Sequence, residues 1–175
     1  MQRPTVWIAD TAAAAMTAEA TTSHPLETGG MLLGWINEDR NEVVVATVLG
    51  PGPAGEHERT RFRPDADWQQ RHLDRIYEAT DGRVTFVGDW HVHPDGGFGM
   101  SRRDRKTMGH TAETPDARCP QPVMVLLAGS ADGYRLGAWT WRPSPLPLHS
   151  GHADRLEVRQ WAPSGDEAFW PMAAP

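Results

Sequence analysis

The sequence predicts an α/β fold in which helices flank a mixed, largely antiparallel β-sheet. Three observations support this prediction. Short runs rich in β-branched and apolar residues recur along the chain and are bounded by turn residues, as strands are. Three stretches combine a helix-start residue with helix-forming sequence. Short polar segments separate consecutive apolar runs, which suits antiparallel pairing. With 175 residues, of which 39% are hydrophobic and 23% charged, the chain suits one folded domain.

The first fifty residues predict a strand, a helix and a hairpin. Residues 5–8 have the composition of a short strand, and Asp10 is followed by an alanine-rich stretch that predicts a capped helix ending before Pro25. Residues 29–36 and 42–48 are apolar and are joined by a polar turn, so they predict an antiparallel hairpin.

An insertion and a second helix follow. Residues 50–64 are rich in glycine, proline and charge, and predict an ordered but irregular segment of a kind that often carries function. Asp65 is placed to cap a helix that runs to about Ala79. Its predicted apolar stripe consists of Trp68, His72 or Leu73, Ile76 and Tyr77.

The second half predicts three further strands and a third helix. Residues 84–93 form a strand, a glycine-rich turn follows, and a helix is expected from Ser101 to about Thr111. Residues 122–128 and 134–141 predict a second pair of strands.

The division of the chain is predicted from its proline content. Residues 1–142 form the expected domain, and residues 143–175 form a proline-rich C-terminal tail that docks on the domain or on a partner. Residues 156–161 within that tail have the composition of one more strand.

Residues 88–104 concentrate two histidines, a serine and an aspartate. On an extended strand residues i and i+2 share a face, so His91 and His93 project together, about 6 to 7 Å apart along the backbone. Ser101 begins the third helix, and Asp104 falls in its first turn. A strand end thus supplies two nitrogens and a helix start supplies one oxygen. Three ligands leave the fourth tetrahedral position open, as in catalytic rather than structural zinc sites.

The simpler alternative is a histidine pair at a strand end beside an ordinary capping box. Each half of that arrangement is common alone. The joint spacing, with a proline directly after the second histidine, is much rarer and favours a metal site.

A metal-dependent hydrolase also needs a group that carries protons, and Glu27 is the candidate we favour. It precedes an apolar, glycine-flanked strand that can lie beside the histidine strand, and partial burial would raise its pKa. A surface carboxylate at a strand start is the alternative. Asp89 shares a strand face with His91, where it is either a hydrogen-bonding partner behind the ligand or an exposed charge.

Composition excludes several classes of function. The net charge of −6 disfavours nucleic acid as a partner. Neither a signal sequence nor an apolar run of about 20 residues is present, so we expect no membrane partner and a cytoplasmic protein. Cys119 is the single cysteine, which excludes paired-cysteine zinc sites, including that of the zinc deaminases. An ordinary unpaired thiol is favoured over a nucleophile.

Glu27 in ETGGMLLG, together with HVHPDGGFGMSRRD, resembles the JAMM motif of the JAB/MPN metallopeptidase family at every motif position. The resemblance implies a cytidine-deaminase-like architecture and one Zn²⁺ per chain, bound by His91, His93 and Asp104. It also implies that Glu27 is the general base and then the general acid, and that Ser101 donates a hydrogen bond to the developing oxyanion.

The resemblance is strongest to short bacterial members. It implies hydrolysis of the peptide or isopeptide bond after the C-terminus of a ubiquitin-like modifier, in a bacterial conjugation system that includes E1-like or E2-like proteins and can serve antiphage defence. Residues 109–121 offer only His110 and Cys119, which argues against the second, structural zinc of chain-specific members. The alternative is a non-catalytic scaffold of the same fold, which typically loses motif residues; here none is missing.

Overall fold

The computed structural model describes residues 4–38, 41–144 and 151–164. Its strands are β1 (Thr5–Ala9), β2 (Gly29–Asn37), β3 (Glu42–Leu49), β4 (Glu56–Glu58), β5 (Arg61–Arg63), β6 (Thr85–Pro94), β7 (Val123–Ser130), β8 (Gly133–Arg142) and β9 (His152–Trp161). Its helices are α1 (Asp10–Ser23), α2 (Ala66–Ala79) and α3 (Arg102–Glu113). The predicted mixed α/β fold with three helices is therefore present.

The main sheet closes into a barrel in the order β1, β3, β2, β6, β7, β8, β9. The predicted hairpins β2–β3 and β7–β8 are antiparallel. β1 is parallel to both of its neighbours, and β6 is parallel to β7. β9 pairs with β8 and with β1, so a strand from the proline-rich segment completes the barrel. This closure is not predicted by the sequence. Residues 145–150 and 165–175 of the predicted tail lie outside the described residues.

Each helix covers its own apolar cluster on the sheet. α1 contributes mostly alanines to the largest cluster, as its small side chains predict, and packs there with Val6, Val45 and Trp90. α2 contributes Ile76 to a second cluster, in which it packs with Leu33, Leu49 and Val84. The α3 cluster consists of Met100, Met108, Met124, Leu126 and Trp141. The barrel strands are therefore covered on both faces, which accounts for their continuous apolar runs.

Three predictions about the helices and the insertion are wrong in detail. Asp10 does not cap α1: the N-cap is the buried Ala9, because β1 passes into the helix without a loop, and Asp10 lies in the first turn. Tyr77 is 45% exposed, whereas Gln69 is buried and donates a hydrogen bond to the Gly50 carbonyl, 2.7 Å away. The predicted irregular insertion contains the two-stranded sheet β4–β5.

The glycines of β2 allow close approach of the backbone, as predicted. A side chain at Gly30 would collide with the Leu49 carbonyl, and one at Gly29 would collide with the Trp90 carbonyl. Gly30 therefore allows β2 to lie close to β3, and Gly29 allows it to lie close to β6, in a register that pairs Gly29 with His91. No helix of the described residues is long and apolar enough to cross a membrane.

Candidate metal centre

The end of β6 presents two imidazoles on one face of the sheet. Trp90 and Val92 point into the core and are buried, while the half-buried His91 and His93 project together. Their Nε2 atoms lie 3.0 Å apart. The alternation of the strand therefore places two nitrogen ligands at one point, as the spacing predicts.

The first turn of α3 brings an oxygen ligand to the same point. Asp104 Oδ1 lies 3.3 Å from His91 Nε2, and Asp104 Oδ2 lies 3.7 Å from His93 Nε2. Ser101 forms the predicted capping box: the Asp104 backbone N–H donates to Ser101 Oγ at 3.1 Å, and the Ser101 N–H donates to Asp104 Oδ2 at 2.6 Å. The capping box and the ligand arrangement therefore coexist in one turn of helix.

These separations fit a tetrahedral zinc ion. Bonds of 2.0–2.2 Å at tetrahedral angles put two ligand atoms roughly 3.3 to 3.6 Å apart. The two Nε2 atoms lie 3.0 Å apart, and the nearer Asp104 oxygen lies 3.3 Å from His91 and 3.7 Å from His93, Oδ1 and Oδ2 respectively, so the separations lie on both sides of this range. Among the described residues, this is the one group of three histidine, cysteine or carboxylate side chains close enough to hold a metal.

Hydrogen bonds prepare two of the ligands for a cation. The His93 Nδ1–H donates to the Gly97 carbonyl at 3.1 Å, which leaves Nε2 with its lone pair directed at the centre. Burial would raise the pKa of Asp104, but hydrogen bonds from His91 and Ser101 outweigh burial and hold this pKa well below its usual range. The carboxylate is therefore ionised and available as a ligand.

The candidate metal centre lies in a cleft with a volume of about 270 Å³, whose lining includes Asp89, His91 and Asp104. Glu27, two residues before β2 begins, lines the same cleft. Burial raises the pKa of Glu27, while the two histidines oppose that shift. A carboxyl group that holds a proton more readily than usual, beside a candidate metal centre, suits acid and base chemistry.

Asp89 also lines this cleft and is half-buried. Burial raises its pKa to about 7, against the opposing influence of His91. The structure therefore places Asp89 within electrostatic range of a candidate ligand, as its position on the strand predicts.

Two other residues considered from the sequence serve the fold. Cys119 is 2% exposed, and burial, reinforced by the charge of Asp89, raises the pKa of its thiol to about 12, which agrees with an ordinary unpaired thiol. His72 donates from Nδ1 to the Trp68 carbonyl at 2.8 Å within α2. Neither side chain lines the metal-site cleft.

Sequence reasoning missed much of the wall of the cleft. The additional lining residues are Gly30, Phe62, Pro64, Gln69, Trp90, Arg103, Thr107 and Met124. Phe62 alternates with Arg61 and Arg63, a pattern of period two that indicates a short half-buried strand. Gln69 carries no such signal, because a polar residue on an amphipathic helix is expected to face solvent.

Two imidazole nitrogens and a carboxylate oxygen, with a further carboxyl group in the same cleft, define a metal centre of the kind that hydrolases use. Residues 10–142 match the family described as prokaryotic homologues of the JAB domain, and the chain belongs to that family.

The chain is similar to named bacterial proteins. It is 38% identical over 136 residues to the probable metalloprotease y4qB of Sinorhizobium fredii (strain NBRC 101917 / NGR234), covering 77% of this chain and 82% of that protein. It is 28% identical over 135 residues to a CD-NTase/cGAS isopeptidase of Enterobacter hormaechei subsp. hoffmannii (strain UCI 50), covering 77% and 73% respectively.

The fold itself has a solved counterpart. The solution structure of a protein from Desulfitobacterium hafniense superposes with a TM-score of 0.65 at 15% sequence identity, covering 90% of this chain and 94% of that one. This similarity supports the arrangement of strands and helices.

Proposed function

We propose that the chain is a zinc-dependent peptidase or isopeptidase that hydrolyses the bond after the C-terminus of a ubiquitin-like modifier. One observation carries this proposal: His91, His93 and Asp104 converge at distances that suit zinc, and Glu27 lines the same cleft. The family and the relative named as a probable metalloprotease support the peptidase class.

The three converging side chains would hold the ion, and the remaining chemistry belongs to the chain. Zinc, when bound, polarises a carbonyl group and lowers the pKa of water. Glu27 accepts a proton from the attacking water and delivers it to the leaving amine, a sequence for which its raised pKa is favourable. Ser101 Oγ already accepts the Asp104 N–H, so its own hydroxyl hydrogen is available to the developing oxyanion.

The substrate class is proposed from the relatives. A relative named as a CD-NTase/cGAS isopeptidase supports removal of a protein modifier from a conjugate. We propose deconjugation or precursor processing in a bacterial conjugation system, including one that serves antiphage defence. The partners are then a ubiquitin-like protein or its conjugate and E1-like or E2-like proteins. The unpaired Cys119 suits a reducing cytoplasm.

Segments 50–64 and 109–121 are the candidates for gripping the extended tail of the modifier. The main sheet is closed, so within the described part of the chain the strand edges that lie outside the barrel belong to β4–β5, where the Glu58 carbonyl already accepts the Glu27 N–H. Phe62 and Pro64 of this region line the cleft. An extended peptide would add to such an edge through backbone hydrogen bonds.

Metal removal tests the proposed class. Purified protein is expected to contain about one zinc per chain, and to cleave a fusion in which a ubiquitin-like protein precedes a reporter. Treatment with a chelator should abolish cleavage, and added zinc should restore it. Protein that carries no metal and gains no activity with zinc would contradict the proposal and favour the scaffold alternative.

A further inference from the structure

The small sheet β4–β5 is bonded to the backbone of Glu27. The Glu27 N–H donates to the Glu58 carbonyl at 2.8 Å. The half-buried His57 donates from Nδ1 to the Glu27 carbonyl at 3.0 Å. Both polar groups of the Glu27 backbone are therefore engaged by β4, although β4 lies about thirty residues further along the chain.

The same small sheet is also bonded to the helix that carries Asp104. Arg103 donates from Nη1 to the Thr60 carbonyl at 3.0 Å, at the turn between β4 and β5. The ring centroids of His57 and Phe62 lie 5.9 Å apart, and Phe62 forms part of the cleft wall. The β4–β5 sheet thus connects the segment of the proton carrier to the first turn of the ligand helix.

Glu27 depends on these bonds because it lies outside the barrel ladder. β2 begins at Gly29, and the first anchored residue after Glu27 is Thr28, whose carbonyl accepts the Val92 N–H at 2.9 Å. On its N-terminal side, Leu26 is bonded only within the turn that follows α1, to the Ser23 carbonyl at 2.8 Å. Proton transfer requires heavy atoms within about 2.6–3.2 Å, so small shifts of this backbone move the carboxyl group out of range.

We propose that His57 is a positioning residue for Glu27, and that Arg103 supports it by fixing the far end of the β4–β5 sheet. This inference rests on the proposed function for its effect on turnover. The contact made by His57 is half-buried and touches Glu27 directly, whereas the Arg103 contact is exposed. His57 therefore carries the larger effect.

Two substitutions separate the hydrogen bond from the packing of the ring. His57→Phe keeps a ring against Phe62 but cannot donate, whereas His57→Asn places an amide N–H near the position of Nδ1. With the modifier fusion as substrate, His57→Phe should lower kcat by about 10- to 100-fold with KM and zinc content unchanged. His57→Asn should recover most of that loss.

Arg63→Ala is the matched control, because it breaks an exposed ion pair with Glu56, 3.3 Å across the same small sheet, and leaves the Glu27 contacts in place. It should leave the hydrogen-exchange rate of the Glu27 amide at the wild-type value. Exchange accelerated as much as in His57→Phe would show a general loosening of the sheet and would overturn the proposal, as would equal losses of kcat in His57→Phe and His57→Asn.

Amide hydrogen exchange provides a readout that does not depend on activity. In His57→Phe the Glu27 amide should exchange about tenfold faster or more, while the Val92 amide, bonded to Thr28, keeps its wild-type rate. If the wild type fails to cleave the fusion, the proposed function fails and the exchange measurement alone decides the positioning role. An unchanged Glu27 exchange rate in His57→Phe would overturn it in either case.

Discussion

The carboxylate of Asp104 serves the helix and the candidate metal centre at once. Oδ2 accepts the Ser101 N–H and closes the capping box, while Oδ1 lies 3.3 Å from His91 Nε2. The Ser101 N–H bond, one of the contacts that hold the pKa of Asp104 low, also fixes the orientation of this carboxylate and can persist when a cation replaces the His91 contact. The same side chain therefore closes the capping box and lies beside two candidate ligands.

The buried thiol gives a prediction at the same scale. A pKa of about 12 leaves Cys119 with roughly a thousandth of the thiolate that an ordinary cysteine has at pH 8. A disulfide reagent added at pH 8 should therefore react with the native chain at least about 100-fold more slowly than with the urea-unfolded chain. The reaction of Cys119 releases a thiol from the reagent, and the absorbance of that thiol gives the reaction rates of the native and the unfolded chain. Similar rates in the two states would show that Cys119 is exposed in the native protein.

At this scale the sequence predicts those residues whose roles follow from local geometry. His91 and His93 share a strand face, and Ser101 and Asp104 share a helical turn, so spacing alone brings each pair together. The role of His57 could not be predicted, because it contacts Glu27 from 30 positions away in the sequence. The sequence alone does not show how the irregular segment 50–64 returns to Glu27. Arg103 was missed for the same reason.

Two helices begin with side-chain caps, and only one of those caps lies at the candidate site. Asp65 accepts the Trp68 N–H at 3.0 Å, and Ser101 accepts the Asp104 N–H at 3.1 Å. Asp65→Ala and Ser101→Ala should each lower the free energy of unfolding by about 1 kcal/mol, which urea titration measures.

Only Ser101→Ala should also lower kcat, by about 100-fold, if its hydroxyl donates to the oxyanion. Asp65→Ala serves as the control for the stability loss itself. Equal kcat values for the two variants would show that Ser101 only caps α3 and takes no part in the reaction.

Strands and helices were predictable where an apolar run was long and the spacing of its apolar residues was regular. The hairpins β2–β3 and β7–β8 follow from apolar runs joined by short turns. β4 and β5 have three residues each, and their exposed positions are charged, so residues 50–64 carried no strand signal of useful length. Gln69 is buried because the Gly50 carbonyl offers its amide a hydrogen-bond partner, a contact that the pattern of α2 alone does not reveal.

Closure of the barrel depends on contacts between the two ends of the described chain. β9 adds to β1 in parallel, pairing Thr5 with Glu157 and Ala9 with Trp161. A pairing of residues about 150 positions apart leaves no local trace in the sequence, whereas a sheet flanked by helices is predictable from patterning alone.

Closure also bears on the proposed binding of substrate. Because the barrel is closed, the strand edges of the described residues that lie outside it belong to β4–β5, and hydrogen bonds join this small sheet to Glu27 and to α3. The candidate metal ligands, Glu27 and the small sheet therefore form one connected arrangement. The proposed function assigns metal-dependent hydrolysis to this arrangement, with Glu27 as the proton carrier.

Glu27→Gln tests this role of Glu27, because glutamine keeps the shape of the side chain but cannot accept the proton. Cleavage of the modifier fusion and zinc content should be measured on the same preparation of wild type and variant. The variant should keep full zinc occupancy, and its kcat should fall about 1000-fold or more. A Glu27→Gln variant that retains zinc and cleaves the fusion at the wild-type rate would contradict this role.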